Sequence, residues 1–201
     1  MTYKDLLYDN GKKPIFLSFA STGVTKTDKV IGFWYSDMQG ELECFVLEGV
    51  SDEELQGAEK FTQITPYIYG NLHKSSAEDA IKVLHMLHDS CNIFSYNEEY
   101  AWAMIQSLVG GKPTPPIVVR DIFSLVAWKE SGQVTTGTTT LEDLYDEVKR
   151  SKFFRIPTLR QMRRMFGEEL NPVIPVPEQN CHLLVNAASW LSDYPLMTDQ
   201  V

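Results

Sequence analysis

The chain has 201 residues, 43% of them apolar and 22% charged, values that suit one well-buried core and exclude a wholly disordered or membrane-embedded protein. Its formal net charge of −9 argues against capture of nucleic acid by the surface at large, because phosphate binding depends on clustered lysine and arginine. Cys44, Cys91 and Cys181 are far apart, odd in number and without a C-x-x-C pair; with no signal-peptide core and no run of about 18 apolar residues, a soluble cytoplasmic protein without membrane association is expected.

The chain reads as a single domain over residues 1–201, with residues 1–13 and 195–201 expected as flexible ends. IFLSFA (15–20) is a continuous apolar run of strand length, the pattern of a central strand buried on both faces, and Ser21, Thr22 and Gly23 break it. KVIGFWYS and ELECFVLE follow as two more strands around the turn-like SDMQG. From Asp52 to Lys74 the periodicity is weak, which suggests irregular or short-helical packing. SSAEDAIKVLHMLHDSC then predicts a helix, with Ala80, Ile81, Leu84, Leu87 and His88 at helical spacing behind a serine cap.

CNIFSY is a short strand, NEEYAWAMIQSLVGG a helix ended by Gly110 and Gly111, and KPTPP an extended connection into the strand IVVRD. DIFSLVAWKE predicts a helix. SGQVTTGTTT predicts a loop leading to the helix TLEDLYDEV, with Thr140 as its cap. TLRQMRRMFG reads as a helix from Thr158 to Gly167, Asn171 to Pro177 as extended because of three prolines, and CHLLVNAASWLSDY as the last helix. Strands alternating with helices behind a hairpin-rich start imply a mixed sheet covered by helices.

Three segments carry a resemblance: PIFLSFASTG, NIFSYNEEYAWAMI, and TLRQMRRMFGEELNPVIPVPEQNCHLLVNAASWL. In order and spacing they resemble the DEDDh (DnaQ-like) 3′-5′ exonucleases of the ribonuclease H-like superfamily, which implies an α/β fold with a mixed five-stranded sheet flanked by helices. In that family the first motif reads D-x-E-T-T-G, the second approximately H-N-x-x-F-D and the last H-x-A-x-x-D-A. The resemblance puts Ser18 and Ala20 at the two acidic positions of the first motif. It matches Asn97 in the second but puts Ala101 at its acid, and it keeps His182 in the last with Ala187 at its aspartate.

Two-metal nucleases hold paired Mg²⁺ or Mn²⁺ against the scissile phosphate, and hard cations need charged oxygen ligands. A hydroxyl and three methyl groups supply no such charge, so the resemblance implies a vestigial site with no catalytic or metal-ligating residues and no cofactor. His182 would be an isolated remnant of the general base. His73, His85 and His88 lack ligand company, and Glu98, Glu99 and Asp121 stand out of register with the lost acids.

Arg155, Arg160, Arg163 and Arg164 form a basic exception in an acidic chain; Arg160, Arg163 and Arg164 share a helical face, and Phe153 and Phe154 could add stacking. The bland reading is a solvated amphipathic helix. The functional one is contact with phosphates or an acidic protein. The resemblance therefore implies a catalytically inactive exonuclease-like protein that binds a protein partner, or single-stranded nucleic acid, in a regulatory or assembly role. Its alternative is an active 3′-5′ exonuclease with unusual metal ligands, requiring Mg²⁺ or Mn²⁺, or an engineered inactive mutant of one.

Overall fold

The computed structural model describes residues 1–23, 25, 27–110, 115–135, 140–151 and 155–197. Phe153, Phe154, Gly111, much of the KPTPP tract, residues 136–139 and the last four residues lie outside the described residues.

Strand β1 (Lys13–Ser21) occupies the middle of the sheet because its apolar side chains alternate onto two covered faces. β2 (Val30–Ser36) pairs antiparallel with it on one side, and β3 (Leu42–Leu47) pairs antiparallel with β2. On the other side β5 (Cys91–Ser95) and then β6 (Val119–Asp121) run parallel to β1. Among the described residues the order is β4-β3-β2-β1-β5-β6. The expected five strands are present, and the sixth, β4 (Lys74–Ser75), is a two-residue addition against β3.

β2 passes so close to β3 at Gly32 that a Cβ there would meet the Phe45 carbonyl oxygen at 2.5 Å and Val46 Cα at 3.1 Å. Only a glycine fits that crossing.

The helices divide between the faces. α4 (Ala77–Ser90) and α5 (Glu98–Val109) cover Ile15, Leu17 and Phe19 of β1. α6 (Ile122–Glu130), α7 (Leu141–Arg150) and α9 (Val176–Ser192) gather around Phe16 and Phe94 on the opposite face. α8 (Leu159–Met165) joins that layer through buried Met162.

Two segments depart from expectation, and a third, read as either irregular or short-helical, takes the helical form. Residues 1–13, expected as a loose end, contain α1 (Tyr3–Leu7), where a Thr2/Asp5 capping box starts a turn that buries Tyr3, Leu6 and Leu7. Thr2 also bridges to Pro195, and Leu196 is buried, so the described end of the chain is tied to its start. The stretch after Asp52 forms α2 (Asp52–Thr62), capped by Ser51 and Glu54, and α3 (Pro66–Asn71), capped by Thr65. α9 begins at Val176, five residues before the expected start at Cys181, because Pro177 falls in its first turn, where the missing N–H costs nothing.

Candidate functional site

The chain leaves β1 toward β2 on one side and leaves β5 toward β6 on the other. The order reverses between these two parallel strands, and in open α/β sheets such a switch point opens a crevice at the strands' carboxyl ends. Two clefts lie there. One, of about 620 Å³, is lined by Phe19, Ser21, Phe61, Tyr100, Val176 and Asn180. The other, of about 670 Å³, contains Glu98, Asp121, Ser124, Tyr145 and Lys149, and both share Tyr96, Asn97, Glu99 and Leu159.

Ser18 and Ala20, two residues apart, project from β1 onto the α9 side. Ala20 is enclosed by Ile31, Trp34 and Cys181. Ser18 Oγ, 0% exposed, accepts a hydrogen bond from Asn180 Nδ2 at 3.3 Å. Asn180 Oδ1 accepts in turn from Arg163 Nη2 at 2.7 Å, and Arg163 Nη1 lies 3.5 Å from Glu168 Oε2. Asn186 Nδ2 closes the chain on Glu168 Oε1 at 2.5 Å. Burial lowers the Arg163 pKa and the Glu168 carboxylate opposes that shift; a guanidinium keeps its charge in either case.

This network changes two sequence-level assignments. Arg163 is 8% exposed and turned inward, so it does not join the exposed Arg160 and Arg164 in a basic face. Arg155 is exposed and lines a separate cleft of about 340 Å³ beside Met162 and Met165. The four arginines are not one patch. The reason is steric: on so short a helix Met162 and its neighbour Arg163 both face the interior, and Asn180 and Glu168 meet the guanidinium there.

On α9 the residue facing Ser18 is Asn180. Ala187 lies two turns farther, about 10 Å along the axis, packed in the apolar layer with Phe16 and Phe94. His182 is exposed. Neither therefore belongs with Ser18 and Ala20. Ala101 is fully buried on the opposite face of the sheet, beneath β1 with Ile15 and Leu17. Asn97 serves as the N-cap of α5, its Oδ1 accepting from Tyr100 N at 2.9 Å.

Sequence reasoning missed the aromatic lining. Tyr96 stacks on Tyr100 with centroids 6.2 Å apart and leans on Phe123 at 6.4 Å. Tyr100 Oη and Ser21 Oγ share a hydrogen bond of 2.9 Å. Burial raises the pKa of both phenols, so each remains a neutral hydroxyl. It also missed Asn180, whose only signal was a polar residue on an otherwise apolar helix stripe.

Do these residues suit the metal pair that the first motif would imply? They do not. The groups in hydrogen-bond reach of Ser18 and Asn180 are neutral or, at Arg163, cationic, and a fixed guanidinium 2.7 Å from Asn180 repels an added cation. Among the described residues no cluster of three or more His, Cys, Asp or Glu side chains is arranged to hold an ion.

No protein-family model matches the chain, and no curated protein is significantly similar in sequence. Solved structures do match in shape. A product-bound exonuclease I superposes with a TM-score of 0.56 at 14% identity, over 89% of this chain and 42% of that one. The fold is ribonuclease H-like.

A complex of ExoI with SSB-Ct gives a TM-score of 0.56 at 14% identity, over 88% of this chain and 40% of the other. A zinc-bound E. coli ExoI complex with ssDNA gives 0.55 at 14%, over 87% and 39%. The chain thus spans about two fifths of the length of the exonuclease I chains it matches. No described helix is long and apolar enough to cross a membrane.

Proposed function

We propose that this protein is a non-hydrolytic member of the exonuclease-like fold that acts by binding a partner, with a protein partner favoured over nucleic acid. The observation that carries the reading is the Ser18–Asn180–Arg163 chain at the carboxyl end of β1. Where a two-metal nuclease concentrates carboxylates to hold about four positive charges, this chain has a hydroxyl, an amide and a buried cation. Counting the five-residue spacing of the H-x-A-x-x-D motif back from Asn180 reaches Pro175, which has no base to offer.

Electrostatics supports a protein partner. Glu98, Glu99 and Asp121 line the cleft beside the switch point with Lys149, which pairs with Glu98, so a phosphate entering there would meet a net negative lining. The exonuclease I structures include both an ssDNA complex and an SSB-Ct complex, so either partner class is compatible with the fold.

The test is incubation of 5′-labelled single-stranded DNA and RNA with Mg²⁺ or Mn²⁺. Full-length substrate is expected throughout. Metal-dependent shortening from the 3′ end, lost in the Asn180→Ala variant, would overturn the reading in favour of an enzyme with unusual ligands.

A further inference from the structure

Glu98, Glu99 and Lys149 are shared between the Asp121 cleft and a neighbouring groove of about 770 Å³, so the two run together along the start of α5. The groove is apolar. Trp102 of α5, 56% exposed, lines it together with Pro115, Pro116 and Val118, which lead into the edge strand β6. An exposed tryptophan in one groove with prolines and a valine, with carboxylates in the same lining, is an incomplete interface of the kind aromatic anchors complete.

The cleft beyond it supplies the second observation. Asp121 is 6% exposed, and its Oδ1 accepts from Phe123 N at 2.8 Å at the start of α6. Among the described residues no lysine or arginine pairs with it. The neighbouring carboxylate of Glu98 presses on it with like charge, while the exposed Lys149 is committed to the half-buried Glu98 at 3.1 Å. The donors to Asp121, from Phe123 and Ser124 at the start of α6, are all neutral, and the cavity beside it leaves room for a cation that would hold the carboxyl in its ionised form.

We propose that this continuous groove docks an extended basic peptide, one arginine or lysine side chain entering the cleft beside Asp121 while neighbouring apolar side chains cover Trp102. A long, flexible cationic side chain suits the geometry: its stem passes Tyr96 and Tyr145, and its head reaches the carboxylate. Glu99, with no ion-pair partner among the described residues, flanks the entrance to both compartments. Nucleic acid is disfavoured at this groove by the same three carboxylates. The inference rests on the reading of the protein as a partner-binding scaffold and names the surface and chemistry involved.

The experiment is fluorescence anisotropy at near-physiological salt with a labelled, blocked hexapeptide alternating leucine and arginine, the same peptide with glutamate for arginine, and labelled oligothymidylate. The arginine peptide is expected to bind and the other two not. Asp121→Asn, which keeps the acceptor for Phe123, and Trp102→Ala, a surface change that leaves the core intact, should each weaken binding by about tenfold or more. Glu142→Gln, an exposed acid on α7, should change it less than about twofold.

Equal losses across all three variants, undiminished binding by Asp121→Asn and Trp102→Ala, or a preference for oligothymidylate would each overturn the proposal. A failed peptide titration with intact labelled substrate in the nuclease assay removes this groove alone. Metal-dependent shortening removes the scaffold reading instead, whatever the peptide does.

Discussion

Asp121 couples stability to pH. Burial pushes its carboxyl up to about 7, against hydrogen bonds from Phe123 and Ser124 that favour the anion. The unfolded chain gives up the same proton near pH 4, so between about pH 4 and 7 the folded state binds the extra proton and stability falls as pH rises. The penalty is absent below that window and complete above it, and about 4 kcal/mol is its upper size. Asp121→Asn keeps the cap and removes the charge. Thermal melts from pH 4.5 to 8 should show the variant gaining on the parent by several degrees as pH rises; a constant difference would contradict the assignment.

Arg163 has the opposite dependence on its partners. Truncation to methionine removes the donor to the buried Asn180 amide oxygen and leaves the Glu168 carboxylate with Asn186 alone, a loss of roughly 3 kcal/mol by analogy with broken buried pairs. Urea unfolding should register it, with Arg163→Lys recovering only part, because an ammonium cannot span both acceptors as the planar fork does. That arginine was misread from sequence for a physical reason. Helical periodicity groups residues by face, yet it does not say which face is turned inward when basic and apolar side chains alternate within seven residues.

At the scale of elements, legibility followed the strength of the local signal. β1, β2 and β5 were readable because IFLSFA, VIGFWY and NIFS are apolar on both faces, as strands covered on both sides must be. α1, α2 and α3 were hidden by shortness or polarity, although the cap pairs Thr2/Asp5 and Ser51/Glu54 marked the first two starts. The early start of α9 escaped because three prolines read as a break, whereas one of them sits within a first helical turn. That displacement carried the motif alignment with it. His182 and Ala187 fit a spacing pattern, but Asn180 is what the helix presents to β1.

The β2–β3 pairing offers an element-level test. At Gly32 an added methyl meets the backbone of β3 rather than the end of a pliable side chain, so relief requires the strands to separate. Gly32→Ala should cost roughly 1–3 kcal/mol, the range for overpacking a tight interior. Chemical denaturation should show a lowered midpoint with unchanged slope. Gly57→Ala, in α2 with open space around it, should be neutral or stabilising by up to about 1 kcal/mol, and serves as the control.

For the whole molecule, the fold and the chemistry have to be argued apart. A ribonuclease H-like sheet positions a crevice, but hydrolysis depends on what lines it. Metal linkage separates the two without reference to any substrate. A native-state site with a dissociation constant 100-fold below the Mg²⁺ concentration would stabilise the fold by about 2.7 kcal/mol. For a chain of this size that is a rise in melting temperature of roughly 5–10 °C. With Ser18, Ala20 and Asn180 at the crevice and Arg163 already charged beside them, the non-hydrolytic reading proposed above expects a shift under about 1 °C on adding about 10 mM Mg²⁺ or 1 mM Mn²⁺. A shift of several degrees that survives Asn180→Ala but disappears in Asp121→Asn would locate a metal at the neighbouring acidic cleft, and the scaffold reading would then give way to an enzyme built on different ligands.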